Sequence, residues 1–574
     1  MGGTGNFREL GMYILGIWDG HDSGAAIIED GRILVALNEE RLTRRKLEIR
    51  FPYHAIRECL QYLHLHPSDI RHIAVSTFDV SKTLARIFPA TKEAYYLIRR
   101  RKKSPGLISD LKKRAKYRLT EFGPNGITRR LSEFSLRQSL DGLGFSQYRV
   151  FLVDHHSCHA ASAAFCSGFD ECLVITIDGI GDALSGTLST LAKGTLSRVS
   201  SISGRHSLGI FFEHVTNLLN MRELEDEGKV MALANYAYPI PDELNPLLEF
   251  IHIEGLDVKC AFSTLKMYEE LKKILWRYPS EQFAYMAQRT LEVKIVELVS
   301  NALAATGQKQ VALAGGVFSN IKVNMLIRRL PGVEACFVFP HMGDGGLALG
   351  AALSLNYELN GISSYALNDV FWGLDYTEEQ LEAALAGSGF QYGYSRAIED
   401  DAAELIAQGS IVFWFQGRME YGPRALGNRS ILALPNSRRI RDVLNLRLKM
   451  RVWYQPFCPT MLEDDARYYL EDYDTPNRFM TMGYMVKDDK RDEVEGVVSV
   501  DGSCRPQIVD GSTSRYGKML VKIKELTGRG VVLNTSFNIH GEPLVCSPRD
   551  ALDTLKKTHN EYLVMGNYLI RGIA

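Results

Sequence analysis

The chain has 574 residues, with 67 Lys and Arg against 68 Asp and Glu and a formal net charge of −1. The length suits roughly three or four domain-sized units, and the balanced charge excludes a global attraction to nucleic acid or an anionic membrane, so polyanion binding has to be local. The nine cysteines are scattered singly without a CxxC, which reads as reduced thiols in the cytoplasm, and no apolar run approaches the ~20 residues of a membrane helix.

In chain order, the start MGGTGNFRELG has no apolar h-region and reads as a disordered extension, residues 1–11, rather than a signal peptide. From Met12 the first half alternates β-rich and helical runs, an α/β pattern. Strands are expected at Tyr13–Trp18, Ile33–Leu37, His72–Ser76, Arg149–Val153, Cys172–Ile177 and Gln310–Ala314, and the longest amphipathic stretch is Gln282–Thr306. Two stretches resemble each other, LGIWDGHDSGAAIIEDGRILVAL from Leu15 and VITIDGIGDALSGTLSTLAKGTL from Val174. Each reads as a strand, an Asp-Gly turn, a small-residue strand, a second Gly turn and a third strand. The physical meaning is two related subdomains, split near residue 171, that aim Asp-Gly turns into a shared cleft. Such a turn brings backbone N–H groups, as at Gly179, close to phosphate oxygens, and its Asp can hold a metal.

Residues 154 to 164 read DHHSCHAASAA and hold three of the fourteen histidines. The Ala-rich run suits a helix capped by Asp154. On it His155 and His159 lie four apart and share a face, while His156 and Cys158 point elsewhere. An isolated HxxxH more often marks a helix start with exposed imidazoles. Here it has company: Asp178 on the second Asp-Gly turn and Asp344 in PHMGDGGLALGAAL, between glycines and ahead of a small-residue helix. Two nitrogens and two carboxylates from separated segments suit Fe(II), Zn or Mn, and disfavour a purely structural zinc site. AGGVFSNIKVN follows a strand with a Gly-Gly turn and a helix start, so Gly315, Gly316 and Asn320 form a surface for a nucleotide or its sugar.

After Ser364 the character changes, and the domain boundary is set there. QGRMEYGPRALGNRS carries Arg418, Arg424 and Arg429, NLRLKMRVW adds Arg447, Lys449 and Arg451, and Arg505 follows in DGSCRPQIV. Guanidinium forks match phosphate bidentately, and the flanking Gly, Pro, Ala and Trp are not those of a solvated basic helix. Near the end, VVLNTSFNIHGEP brings Asn534, Ser536 and Asn538, whose amides and hydroxyl suit a phosphate or carbonyl oxygen.

HDSGAAIIEDGRI, NEERLTRRK, DHHSCHAASAA, EGKVMALA, LAGGVFSNIKVN, GDGGLALGAA, GRMEYGPRALGNRSILA and LNTSFNIHGEP, in that order, resemble the O-carbamoyltransferase family of nodulation-factor and antibiotic biosynthesis. The resemblance spans nearly the whole chain from Met12, leaving mainly residues 80 to 148 and 240 to 280 unmatched. It implies an actin/Hsp70-type duplicated ATPase-like domain over residues 12–364, akin to the universal tRNA threonylcarbamoyl transferase, and a YrdC-like α/β domain over residues 365–574.

The activity implied is formation of carbamoyl-adenylate from carbamoyl phosphate and ATP, used with Mg, then transfer of the carbamoyl group to a hydroxyl of a small-molecule acceptor. Arg424, Arg429, Lys449, Arg451, Arg505, Asn534, Ser536 and Asn538 would bind ATP and carbamoyl phosphate, offsetting the crowded anionic charge. Transfer needs a base, and His21 with Asp19 beside it is the candidate pair. Glu227 and Lys229 of EGKVMALA are carried over as further catalytic residues. The metal, Fe(II) first and Zn or Mn as alternatives, would grip the nucleotide phosphate.

Two positions depart from the family pattern: Gln455 stands where an Arg is common and Ser499 where a His is common. The basic stretch YLIRRRKKSPGLISDLKKRAKYR, residues 96 to 118, reads as a solvated excursion or helical hairpin near the acceptor cleft, or as a sign of an anionic acceptor such as a nucleotide-linked or phosphorylated sugar. It lacks interleaved aromatics, so nucleic acid is not an expected partner. The oligomeric state is open, a homodimer included. A tRNA threonylcarbamoyl-type transferase, a sugar kinase or ATPase of the same fold, and a non-catalytic binding protein are the alternatives.

Overall fold

A computed structural model describes residues 11–103 and 119–572, so nearly all of the expected extension and most of the basic stretch lie outside the described residues. β1 (Tyr13–Trp18), β2 (Gly24–Glu29) and β3 (Arg32–Asn38) form an antiparallel meander. β4 (His72–Ser76) and β5 (Arg149–Val153) continue the sheet in parallel on the other side of β1, giving the order β3-β2-β1-β4-β5. Five of the six β1 residues are buried, as expected of a central strand covered on both faces.

The second sheet repeats this. β6 (Cys172–Gly181), β7 (Leu184–Ala192) and β8 (Thr195–Ser203) make the meander. After a small hairpin of β9 (Ile251–Glu254) and β10 (Asp257–Cys260), β11 (Gln310–Ala314) and β12 (Ala335–Val338) join β6 in parallel. The order β12-β11-β6-β7-β8 is the first sheet over again. The faint internal repeat of the sequence is thus a topological duplication, the arrangement of an actin/Hsp70-type domain.

The helices His155–Cys166 and Leu347–Asn360 pack together between the sheets, the second lying across β1, β2 and β4. Their small residues set the approach distance. A Cβ on Gly16 of β1 would meet the Ala348 carbonyl oxygen at 1.9 Å, and one on Gly350 would meet that of Cys158 at 2.3 Å. The expected long helix is present as Ser280–Thr306. No helix of the described residues is long and apolar enough to cross a membrane.

The third sheet has eight strands in the order β13-β22-β21-β14-β15-β20-β16-β19. They are β13 (Gln391–Tyr394), β14 (Val412–Phe415), β15 (Arg429–Ala433), β16 (Cys458–Leu462), β19 (Gln507–Val509), β20 (Val531–Ser536), β21 (Tyr562–Met565) and β22 (Tyr568–Arg571), with a short pair β17 (Tyr484–Met485) and β18 (Ser503–Cys504) beside them. Helices Ile398–Ala407 and Arg515–Thr527 cover one face over Trp414, Leu432 and Val564. The chain just after the expected boundary is held to the first sheet: Ala36 N donates to Trp372 O at 3.0 Å, and Arg418 Nη2 donates to Leu34 O at 2.8 Å.

Candidate functional site

Asp154 caps its helix by accepting from Ser157 N at 2.8 Å, which fixes the turn on which His155 and His159 point the same way. His159 Nε2 lies 3.1 Å from Asp178 Oδ2 and 3.6 Å from Asp344 Oδ1, and His155 Nε2 lies 3.6 Å from both. One ligand atom from each of the four residues lies within 4.8 Å of the others. The buried His155 Nε2 has no hydrogen-bond partner among the described residues, while its Nδ1 meets Thr77 Oγ1 at 3.0 Å. A ring anchored by one nitrogen, with the other aimed between two carboxylates, fits a metal ion.

Burial opposes protonation of His155, yet Asp344 and Asp178 outweigh it and raise its pKa to about 9, a measure of how negative the centre is. His156 turns away to Thr176 Oγ1 at 2.8 Å, and burial with its two imidazole neighbours pushes it down to about 3.

A cavity of about 350 Å³ opens beside this centre and is lined by His21, Gly179, Gly316 and Asn320. Gly315 stands behind it at φ 103°, where a Cβ would meet the Ile177 carbonyl oxygen at 2.2 Å. His21 Nε2 is 3.1 Å from Asp344 Oδ2, and its buried Nδ1 has no hydrogen-bond partner among the described residues.

The expected pairing of His21 with Asp19 is corrected. The Asp19 carboxylate is taken by Lys82 at 2.7 Å and Arg86 at 2.8 Å, so Asp344 orients the imidazole instead. Lys82 and Arg86 reach Asp19 from a helix distant in sequence, a contact that proximity along the chain does not show. The solvated reading of the basic stretch is corrected as well for its described start. Arg99 reaches Glu213 and Glu223, and Arg100 pairs with Glu225 at 2.5 Å, all largely buried.

A second cavity, also about 350 Å³, is lined by Arg424, Arg505, Ser536, Asn538, Lys229 and both departures, Gln455 and Ser499. Lys449 lies against its floor, donating to Asn538 O at 2.8 Å and Asn538 Oδ1 at 2.9 Å and also to the Ser536 carbonyl. Arg451 packs over Phe457, its Nε bonded to Asn445 Oδ1 at 2.6 Å. Burial, with Arg505 nearby, pushes the Arg424 guanidinium down to about 9, and burial holds Lys449 well below its ordinary value.

Arg429, Asn534, Lys449 and Arg451 are corrected as direct ligand groups: none of the four lines this cavity. Arg429 is fully buried over Phe415 and donates to the carbonyls of Gln416, Gly417 and Asn428, while Asn534 bonds Thr460 Oγ1 at 3.0 Å and Ala425 O at 3.2 Å. Arg429 and Asn534 organise the backbone beneath the ligand space. Ser499 Oγ accepts from Asn235 Nδ2 at 2.7 Å, and Gln455 Oε1 is buried without a partner among the described residues.

Glu227 lines both cavities, together with Asp22, Gly228, Met231, Ser319, His341 and Pro423, so the two spaces adjoin. Sequence reasoning missed Thr77, which holds His155, and Lys82 and Lys92 on the first cavity's wall. The one local signal was a β-branched residue directly after a strand; its φ of 68° is strained for threonine.

The family model described as Carbamoyltransferase N-terminus matches residues 13–353, and that described as Carbamoyltransferase C-terminus matches residues 403–572. The chain is 32% identical over 566 residues to the nodulation protein NolNO of Sinorhizobium fredii, spanning 96% of this chain and 79% of that one. It is also 32% identical over 582 residues to an uncharacterized protein of Methanocaldococcus jannaschii, spanning 98% of this chain and 100% of that one. Among solved structures, component A of the Acidaminococcus fermentans (R)-2-hydroxyglutaryl-CoA dehydratase is 16% identical, covers 60% of this chain and 98% of its own, and superposes with a TM-score of 0.36. Both halves of the sequence are matched in order, and residues of both halves line the second of the two adjoining cavities; the chain belongs to the carbamoyltransferase family.

Proposed function

We propose that this carbamoyltransferase is ATP-dependent and works in two steps at two sites. A YrdC-like unit, residues 365–574, makes carbamoyl-adenylate from carbamoyl phosphate and Mg-ATP in the second cavity. The unit 12–364 then passes the carbamoyl group to a hydroxyl of a sugar or natural-product acceptor in the first. The observation that carries this reading is the shared wall between a cavity lined by Arg41, Arg424 and Arg505 and one that holds His21 beside a carboxylate-histidine centre. A mixed anhydride prone to hydrolysis benefits from a short enclosed passage.

In the second cavity Arg424 and Arg505 offset the repulsion between phosphate groups, while Lys449, tied to Ser536 and Asn538, holds that loop in shape. In the first, a neutral His21 with its proton on Nε2 donates to Asp344 and keeps Nδ1 as acceptor. The acceptor hydroxyl gives its proton to Nδ1 as its oxygen bonds to the carbamoyl carbon. The bond from that carbon to the adenylate oxygen breaks and AMP leaves, with Asp344 stabilising the imidazolium. A metal held by His155, His159, Asp178 and Asp344, Fe(II) by preference, would supply Lewis-acid stabilisation of the leaving phosphate.

The test is incubation with ATP and carbamoyl phosphate, followed by mass spectrometry. AMP and carbamoyl-adenylate are expected; ADP in their place would return the chain to a kinase reading.

A further inference from the structure

The wall of the first cavity around Asp19 carries more positive charge than its carboxylate answers. Asp19, directly after β1, is buried with Lys82 Nζ at 2.7 Å and Arg86 Nε at 2.8 Å. The ammonium of Lys92 adds a third cation, donating to the Asp19 carbonyl oxygen. Lys82 and Arg86 come from the helix Val80–Ile87 and Lys92 from Pro89–Arg99, in the segment that no motif explained. Asp19 is the one carboxylate in direct contact with these three basic groups, which carry two positive charges more than it balances when all are protonated. Burying cations without a matching anion is costly. Burial depresses both ammonium groups, Lys82 to about 8, more than Asp19 offsets even with Asp344 acting on Lys82 and Glu48 on Lys92. Arg86 Nη1 is also buried with no hydrogen-bond partner among the described residues.

The position of this surplus is specific. Lys82 and Lys92 line the first cavity with Trp18, Ala85 and Tyr96. Lys82 Nζ sits 4.0 Å from the Trp18 ring centroid, and Trp18 Nε1 donates to His21 O at 2.7 Å. The Tyr96 ring lies 5.3 Å from that of His21. The cations therefore flank the base on the side of the Val80–Ile87 and Pro89–Arg99 helices. The nucleotide surface of Gly179, Gly316 and Asn320 comes from the other subdomain.

We propose that Lys82 and Lys92 bind a phosphate monoester on the acceptor, so that the hydroxyl carbamoylated at His21 belongs to a phosphorylated small molecule. A dianion matches the surplus of two, whereas the phosphate of carbamoyl-adenylate carries a single charge. This rests on the two-step reading above.

The experiment uses the full chain saturated with AMP, which fills the donor position, and titrates it calorimetrically with inorganic phosphate, glucose 6-phosphate and glucose. Glucose 6-phosphate is expected to bind at least about tenfold more tightly than glucose, with inorganic phosphate competing. Lys82→Met and Lys92→Met should each weaken glucose 6-phosphate by roughly tenfold to a hundredfold, the worth of a charge-assisted hydrogen bond, while AMP affinity changes less than about twofold. Lys82→Arg should keep most of the binding. Lys92 is half-buried, so its variant reports even if the Lys82 change unfolds the wall. Equal binding of glucose and glucose 6-phosphate overturns the proposal, as does a tenfold loss of AMP affinity in either methionine variant, which would assign these cations to the donor. If the unchanged protein binds no AMP, the two-step reading fails, and the phosphate preference is still read from the same titration without nucleotide.

Discussion

The two adjoining cavities are alike in size and different in chemistry. The first gathers two imidazoles and two carboxylates, and the negative field raises His155 to about 9. The second gathers Arg41, Lys46, Lys229, Lys322, Arg424 and Arg505 around fewer carboxylates, and burial lowers Arg424 to about 9. The histidine and aspartate quartet of the first suits a cation, while Lys82 and Lys92 on the same cavity's wall suit an anion, as do Arg424 and Arg505 of the second. They are also made differently. The first is assembled from tight turns at the ends of parallel-flanked strands, where backbone geometry fixes each side chain. The second lies between the two halves of the chain, with Arg41, Lys46, Lys229 and Lys322 reaching in from one and Arg424, Arg505, Ser536 and Asn538 from the other.

Damage to either cavity should therefore stop the reaction at a different place. His21→Asn keeps the shape of the turn and removes the base, so transfer from carbamoyl-adenylate should slow by ~10²–10⁴ while adenylate still forms. Lys449→Ala should do the reverse: no adenylate, yet transfer from added carbamoyl-adenylate preserved. Rapid-quench mass spectrometry separates the two. Loss of both steps in either variant would break the division between the cavities.

Metal retention tests the first cavity alone. His159→Ala removes one of four donors, and the affinity loss should exceed the ~100-fold that outer partners can cost. Thr77→Val leaves the donors in place but removes the hydroxyl at His155 Nδ1, so a loss of ~10–100-fold is expected, with Thr77→Ser restoring most of it. Metal analysis after dialysis against graded chelator measures both. An unchanged Thr77→Val would mean the ring is oriented by packing alone.

The same contrast explains what was legible in the sequence. That His155, His159, Asp178 and Asp344 come together was readable because each member sits at a turn with its own local signature: HxxxH after an N-cap, Asp-Gly after a strand, Asp between glycines. The duplicated sheet was readable because β1 and β6 lead into similar Gly-rich meanders. Arginines of the second half carry no such signature. Arg424 and Arg429 stand five apart in one Gly-rich run, yet one lines the cavity and the other bonds buried carbonyls under it. Which of them faces a ligand depends on how β15 pairs with β14 and β20, a non-local fact. Lys82 and Lys92 lie in ordinary amphipathic helices, so only the fold brings them to Asp19.

The smallest expected effect concerns the wall that the cavities share. Burial, then the neighbouring Glu213 carboxylate, raises Glu227 from an ordinary 4.5 to about 8. Its Oε1 also accepts from Leu224 N at 2.7 Å, which holds the turn before the helix Glu227–Leu233. The sign follows from proton binding. The folded chain keeps a proton that the unfolded chain releases near 4.5, so this contribution to stability is full below that pH and is lost as pH rises through about 8. Glu227→Gln keeps the acceptor oxygen and the shape but does not titrate. The melting temperatures of the two proteins should run together near about pH 4 and separate on the alkaline side, with the variant higher by roughly 2 °C at about pH 9. Curves that stay parallel across that range would mean that Glu227 is ionised in the folded protein, solvated through the cavities it lines, and that the shared wall is wetter than its burial implies.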